Sequence, residues 1–218
     1  MSALSIEPAY PRVAFQGEPG AFGEAAVMRH WSGRAEAVPG RTFADALALV
    51  CAGHADYAVI PTWNSAIGEL LVPRLALALY AARTRALDEV HVPVRQCLLA
   101  LPGATLDDIR VAGSHPAALA QCTRFFAARP RIAPREAFDT AGAARELALL
   151  ATSIDRACVA TGAIPWYDAV TREAHELAVV ASAPAAERYG LALLVEGIQD
   201  DPANTTRFVV VRARESRW

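Results

Sequence analysis

Short apolar runs alternate with longer Ala-rich segments along most of the chain. Strand-like runs at 13–16 and 57–61 are followed by helical patterns at 21–31 and 66–80, the latter interrupted at Pro73. Strands that alternate with helices are typical of α/β proteins with mostly parallel sheets. The pattern predicts such a fold, with Thr42 capping a helix at 43–51. Further strands are expected at 90–101, 109–113, 157–160 and 177–181, and further helices at 116–127 and 140–150.

Composition and charge indicate a globular protein. The 218 residues are 54% hydrophobic and 20% charged, which allows one large domain or two lobes with a substantial core. A net charge of −2 gives no general attraction to nucleic acid or to anionic lipid. All 21 basic residues are Arg, so Schiff-base chemistry at lysine is excluded.

Cysteines and histidines show no spacing typical of a metal or redox site. Four Cys and five His are scattered along the chain, which favours a reduced cytoplasmic protein without a metal. The first residues lack the pattern of a signal peptide, and no apolar run reaches the length of a membrane span. We therefore expect neither metal nor cofactor, and no membrane or nucleic-acid partner.

Candidate chemistry lies where predicted strands pass into helices. A glycine loop at 17–23 opens a helix and could offer backbone N–H groups to an anion. Asn64-Ser65, Ser114-His115 and Asp139-Thr140 follow other strands or begin helices. Each junction alone is typical of an ordinary turn or helix cap. If they converge at the carboxyl ends of the strands, they form one ligand-binding cleft.

The polar segment 204–207 leads into an apolar strand near the end of the chain. Arg207 has the forked donor geometry that suits a carboxylate, and a neighbouring hydroxyl can transfer a proton. Taken alone, this segment is more typical of a turn before an ordinary strand.

Seven segments, taken in order, resemble the prephenate dehydratase family and its plant relatives, the arogenate dehydratases. They include Thr206-Arg207-Phe208, Ser114-His115-Pro116 and the first strand with its glycine loop. The segments lie at 13–22, 61–68, 96–103, 114–122, 139–144, 189–191 and 197–208.

The resemblance implies two α/β lobes, similar to type II periplasmic binding proteins, with the active site between them. The first lobe would comprise 1–90 and 192–218, and the second 91–191. The resemblance also implies a lyase that acts in phenylalanine biosynthesis. Such an enzyme removes carbon dioxide and the ring hydroxyl from prephenate or arogenate in one step. Such a reaction needs an acid for the departing hydroxyl and donors for two carboxylates.

Site residues are carried over from the family onto matching positions of this chain. Thr206 would be the general acid, Arg207 a carboxylate anchor and Ser65 a third catalytic residue. Substrate-binding residues would be Gly20, Ala21, Trp63, Asn64, Ser114, His115, Thr140 and Phe208.

The chain departs from the family pattern at several positions. Trp63 stands where the family usually has Glu, Ala117 where it has Gln, and Gly23 where it commonly has Ser. The segment at 151–176 contains an apparent insertion. The sequence given stops ten residues after Phe208, so we expect no regulatory ACT domain. The resemblance also implies a homodimer or homotetramer.

Two other functions compete with the dehydratase. Trp63 and Ala117 favour a related reaction, in which prephenate is decarboxylated without becoming aromatic and keeps its ring hydroxyl. The intact Thr206-Arg207-Phe208 favours the dehydratase, because loss of the hydroxyl needs an acid. A non-catalytic protein that binds a small carboxylate is the third possibility, since the fold is shared with solute receptors.

Overall fold

The computed structural model describes residues 10–152, 166–167 and 173–214. The predicted strand at 157–160 and most of the apparent insertion lie outside them. Eleven strands are described, and they follow one another along the chain as β1 (Arg12–Gln16), β2 (Glu36–Gly40), β3 (Tyr57–Asn64), β4 (Gly68–Glu69), β5 (Thr84–Pro93), β6 (Cys97–Ala100), β7 (Val111–Ser114), β8 (Ala133–Glu136), β9 (Leu177–Ala181), β10 (Ala192–Glu196) and β11 (Thr205–Ala213).

Seven α-helices connect these strands in the described part of the chain. They are α1 (Phe22–His30), α2 (Phe43–Cys51), α3 (Leu71–Tyr80), α4 (Pro116–Leu119), α5 (Thr123–Ala127), α6 (Thr140–Leu150) and α7 (Ala183–Tyr189). None of the described helices is long and apolar enough to cross a membrane.

The strands form two sheets, one in each lobe, which confirms the α/β class and the two-lobed architecture. The first sheet has the order β2-β1-β3-β11-β5, with β4 beside β3, and the second has the order β10-β6-β9-β7-β8. The expectation of mostly parallel sheets is wrong, because both sheets are mixed. Parallel pairing joins β1 to β2 and β3, and β7 to β8 and β9. Antiparallel pairing is found at the strands that flank the crossings between the lobes, because these strands enter each sheet from the other lobe. They are β5, β6, β10 and β11.

The chain crosses between the sheets at 94–96 and again at 197–204. The predicted single strand at 90–101 is therefore two strands in different sheets, β5 and β6. β10 pairs with β6 in the second sheet, so the chain returns to the first sheet after residue 196. The lobe boundaries expected from the resemblance put that return at residue 192.

Local signals located most helices correctly. The Thr42 hydroxyl accepts from the Asp45 N–H at 3.0 Å, and the Asp45 carboxylate accepts from the Thr42 N–H at 3.0 Å, which confirms the predicted cap. α6 occupies the predicted 140–150. α3 begins at Leu71 and includes Pro73 in its first turn, where a missing N–H costs no helical hydrogen bond. The predicted helix at 116–127 is instead two short helices.

Apolar side chains pack on both faces of each sheet. In the first lobe, Phe15 and Val59 lie in a core with α1, and Leu47 and Ile60 lie in another with α2 and α3. In the second lobe, α6 and α7 cover one face and α5 the other. Close packing of this kind holds the strand ends, and the side chains they carry, in fixed positions.

Candidate active site

A cleft of about 830 Å³ lies between the two lobes. Its walls include the ends of β1 and β3, the start of β11, and the beginnings of α1, α2, α4 and α6. The junctions that the sequence singled out therefore meet at one cleft, although not every expected side chain takes part. Polar residues that line the cleft include Gln16, Asn64, Gln96, His115, Gln121, Asp139, Thr140 and Thr206.

A bulge in β3 aims Asn64 into the cleft. Thr206 pairs with Asn64 and Arg207 with Trp63, but Phe208 pairs with Pro61, so Thr62 is the extra residue. Side chains alternate between the two faces of a strand, and one inserted residue reverses that alternation. Asn64 and Pro61 therefore both line the cleft, as do Thr206 and Phe208 on the neighbouring strand.

The Thr206 hydroxyl accepts a hydrogen bond and donates none to the residues that the structure describes. Its Oγ1 accepts from the Asn64 amide at 2.9 Å, and Thr206 is 8% exposed. A hydroxyl has one hydrogen to donate, and the bond from Asn64 does not use it. The group can therefore donate to a molecule in the cleft.

A second layer of hydrogen bonds fixes the Asn64 amide. Asn64 Oδ1 accepts from the N–H groups of Ala66 at 2.9 Å and Ile67 at 3.3 Å. Its second amide hydrogen goes to Asn204 Oδ1 at 2.8 Å. The two backbone N–H groups can only donate, so they identify the atom that faces them as oxygen and leave the amide nitrogen facing Thr206 and Asn204.

Asn204 connects this group to the crossing segments between the lobes. Its amide nitrogen donates to Gln121 Oε1 at 2.8 Å, and Gln121 Oε1 also accepts from Gln96 Nε2 at 3.3 Å. Gln96, Asn204 and Gln121 are all buried. A buried polar network holds its members firmly because an unpaired member would be costly.

The first turn of α1 is open towards the cleft. Ala21, Phe22 and Gly23 line the cleft, and no side chain caps this helix. Free N–H groups and the positive end of the helix dipole favour an anion there. Arg41, which is exposed beside the start of α2, adds a full positive charge to the same wall.

The structure adds Asp139 to the site. One carboxylate oxygen caps α6 by accepting from the Gly142 N–H at 2.8 Å, and the other accepts from Gln16 Nε2 at 3.4 Å. Burial raises the pKa of Asp139, an effect that these hydrogen bonds only partly offset.

Several of the expected site residues line the cleft. These are Ala21, Asn64, His115, Thr140, Thr206 and Phe208. The His115 side chain is exposed, and its Nδ1 accepts from the Ala117 N–H at 3.2 Å. Ala117, one of the departures from the family pattern, also lines the cleft.

Arg207 and Trp63 lie on the face of the first sheet opposite Thr206, contrary to expectation. They pair with each other across β3 and β11, and neither lines the cleft. Arg207 lines a separate cavity, and its Nε is 3.9 Å from a Glu89 carboxylate oxygen. The reason is the alternation of side chains along β11, which sends residues 206 and 207 to opposite faces.

Ser65, Ser114 and Gly20 have structural contacts and do not line the cleft. The Ser65 hydroxyl accepts from the Thr205 N–H at 2.9 Å. Ser114 is fully buried, and its hydroxyl donates to the Val180 carbonyl at 2.6 Å. Gly20 has a positive φ of 92°, and its carbonyl accepts from the Ser182 hydroxyl at 2.6 Å.

Sequence reasoning assigned no catalytic or substrate-binding role to five polar residues of this site, although two of them, Asp139 and Asn204, lie in segments that it had singled out. The five residues are Gln16, Gln96, Gln121, Asp139 and Asn204. All five lie in segments that carry the resemblance, and most of them stand at the edge of an apolar run. That position is the signal that could have identified them, since a polar group there is buried when the lobes meet.

Comparison with known proteins gives consistent results. The model of the family described as "Prephenate dehydratase" matches residues 13–216. Arogenate dehydratase 1 of Petunia hybrida is 40% identical over 205 residues, which are 94% of this chain and 42% of that protein. The chain thus spans less than half the length of this relative.

Two solved structures are similar across both lobes. One is a prephenate dehydratase from Arthrobacter aurescens in complex with L-Phe, with a TM-score of 0.73 and 29% identity. The other is GqqA, described as a novel type of quorum quenching acylase, with a TM-score of 0.74 and 32% identity. Each alignment covers 94% of this chain, and 61% and 65% of the respective structures.

Proposed function

The chain belongs to the prephenate dehydratase family, and from this premise we propose that it removes water and carbon dioxide together from prephenate or arogenate. The observation that carries the proposal is the Thr206 hydroxyl, which lines the cleft and donates its hydrogen to no other group in the described part of the chain. A dehydratase needs a proton donor at the departing hydroxyl, and the position of Thr206 supports it in that role.

Thr206 acts as the general acid. Its hydrogen moves to the ring hydroxyl of the substrate, and the C–O bond breaks to release water. The electron pair of the bond to the ring carboxylate moves into the ring as carbon dioxide departs, which makes the ring aromatic. Thr206 then regains a proton from solvent. The hydrogen bond from Asn64 stabilises the negative charge that develops on Oγ1 during the transfer.

The carboxylates of the substrate are held by other groups than the expected Arg207. The open N–H groups of α1 and the Arg41 guanidinium line the same cleft as Thr206. Both attract anions, although the Glu24 carboxylate in the first turn of α1, which accepts from the Gly20 N–H at 2.6 Å, weakens this effect at α1. Arg41 takes part in none of the described ion pairs.

A non-aromatising decarboxylase is the alternative. Trp63 was one argument for it, but Trp63 does not line the cleft, so its presence says little about the reaction. The argument from Ala117 remains, because that residue does line the cleft.

Product analysis separates the two reactions. The purified chain is incubated with prephenate and, separately, with arogenate, and the products are followed by NMR. Phenylpyruvate or phenylalanine is the expected result. A product that has lost its carboxylate but keeps the ring hydroxyl would instead support the decarboxylase, and unchanged substrate in both reactions would contradict both functions.

A further inference from the structure

Asp139 is a buried carboxylate with unused capacity at the cleft. It is 8% exposed, lines the cleft, and accepts hydrogen bonds from Gly142 and Gln16, with a smaller contribution from the Ala141 N–H. A carboxylate has about four acceptor positions. The bond from Gln16 is long at 3.4 Å, which leaves this oxygen weakly held.

No described arginine forms an ion pair with Asp139. The ion pairs among the described residues involve other carboxylates, and none of them joins His115 to Asp139. A buried carboxylate without a cation is costly to maintain. A cation bound in the cleft would offset that cost.

The charges around the cleft fit a substrate that carries its own cation. Among the described side chains that line it, Arg41 is the single arginine, and of the two acidic ones Glu69 is paired with Arg74 at 2.7 Å whereas Asp139 is in none of the described ion pairs. Prephenate has two carboxylates and a keto group. Arogenate has the same two carboxylates and an α-ammonium group in place of the keto group. Prephenate, which carries two negative charges and no positive one, is therefore the poorer match to the charges that line the cleft.

We propose that Asp139 determines substrate choice, by binding the α-ammonium group that arogenate has and prephenate lacks. The inference rests on the dehydratase function proposed above and names the substrate of that same cleft. One carboxylate oxygen continues to cap α6, while the oxygen near Gln16 accepts from the ammonium. Charge-assisted bonds of this kind are the strong ones, and their loss leaves a buried polar group unpaired.

Asp139→Asn separates recognition from capping. Asn is as good a helix cap as Asp and keeps the oxygen that accepts from Gly142, so the fold is retained. The matched control is Asp45→Asn, which removes a carboxylate at the start of α2 from a position that does not line the cleft.

The test compares kcat/KM for arogenate and prephenate in the wild type and both variants. We expect the wild type to prefer arogenate, and Asp139→Asn to lower kcat/KM for arogenate about 10- to 100-fold while prephenate changes little. Asp45→Asn should leave the ratio of the two substrates unchanged.

Two results would overturn the inference while the dehydratase function stands. One is a wild type that prefers prephenate. The other is an equal loss on both substrates in Asp139→Asn, which would indicate a general structural role for Asp139.

If the wild type converts neither substrate, the proposed dehydratase function is wrong. The role of Asp139 is then tested by measuring how tightly each compound binds. Calorimetric titration of each compound into the wild type and Asp139→Asn then gives the answer. Tighter binding of arogenate that is lost in the variant supports the role of Asp139, and equal affinities contradict it.

Discussion

At the scale of single residues, the site depends on one amide and one hydroxyl. Asn64 receives two backbone N–H bonds on its oxygen and directs its two hydrogens to Asn204 and Thr206. Every bonding position of the amide is used, so it cannot rotate without losing bonds. The position of the Thr206 hydroxyl oxygen is consequently determined by residues that need not touch the substrate.

Removing the hydroxyl should abolish most of the reaction. We expect Thr206→Ala to lower kcat by about 10²- to 10⁴-fold, the usual contribution of a general acid. Thr206→Ser keeps the hydroxyl and should retain most of the rate. Steady-state kinetics on the preferred substrate measures both, and full activity in Thr206→Ala would show that another group supplies the proton.

Asp139 should also affect stability, in a direction set by its raised pKa. Because burial favours the protonated form in the folded state, the stability it contributes is fully present below the unfolded pKa, about 3.9. That stability is lost as pH rises through the folded pKa. Asp139→Asn, which keeps the cap without the charge, should therefore unfold at a higher temperature than the wild type near neutral pH.

The comparison is made by thermal unfolding of both proteins across a pH series. The advantage of Asp139→Asn should shrink as the pH falls towards the unfolded pKa. A difference in unfolding temperature that stays constant across the series would show that the charge of Asp139 is not responsible.

At the scale of elements, the loop between β1 and α1 joins the two lobes. Besides the bond from Ser182 to Gly20, the Tyr189 hydroxyl donates to the Pro19 carbonyl at 2.7 Å. A Cβ on Gly20 would lie 3.0 Å from the Ala185 Cα, which belongs to the backbone of α7. Contacts of this kind hold the start of α1 in place at the cleft.

Gly20→Ala should destabilise the fold more than a glycine substitution at a similar φ in open space. Gly53→Ala is the control, because Gly53 has a φ of 73° and nothing within 4 Å of an added Cβ. Both variants bear a backbone strain of about 1–3 kcal/mol. Only Gly20→Ala also meets Ala185, so urea unfolding should give it the larger loss, and equal losses would contradict the contact.

At the scale of the whole molecule, buried amides connect the lobes where the chain crosses between them. Gln121 of the second lobe accepts from Asn204 and from Gln96, which lie in the two crossing segments. The Gln96 carbonyl also accepts from the Ile198 N–H at 2.9 Å, so the two crossings are bonded to each other. This junction continues directly into the Asn204, Asn64 and Thr206 network.

Gln121→Ala should weaken both the fold and the reaction. It leaves the Asn204 and Gln96 donors without their acceptor in a buried place, at a cost of about 1–3 kcal/mol each. The free energy of unfolding and kcat should both fall, because Asn204 positions Asn64. Gln121→Glu keeps an acceptor oxygen at this position and should recover part of kcat. A Gln121→Ala variant with normal kcat would show that the junction does not influence the site.

The sequence by itself determined the class of fold, most of the helices and the order of the junctions that form the cleft. These features depend on neighbours along the chain: apolar periodicity, the Thr42 cap, and motifs in order. Thr206, Asn64 and the start of α1 could be identified in this way.

Only the tertiary structure decided which side chains of those junctions face the cleft. One extra residue in β3, Thr62, brings Asn64 to the side of Thr206 and leaves Trp63 and Arg207 on the other face. Strand pairing between distant segments sets this register, and a shift of one residue exchanges the two faces. The partners of Asp139 and Gln121 likewise come from segments far away in the chain, which local patterns do not specify.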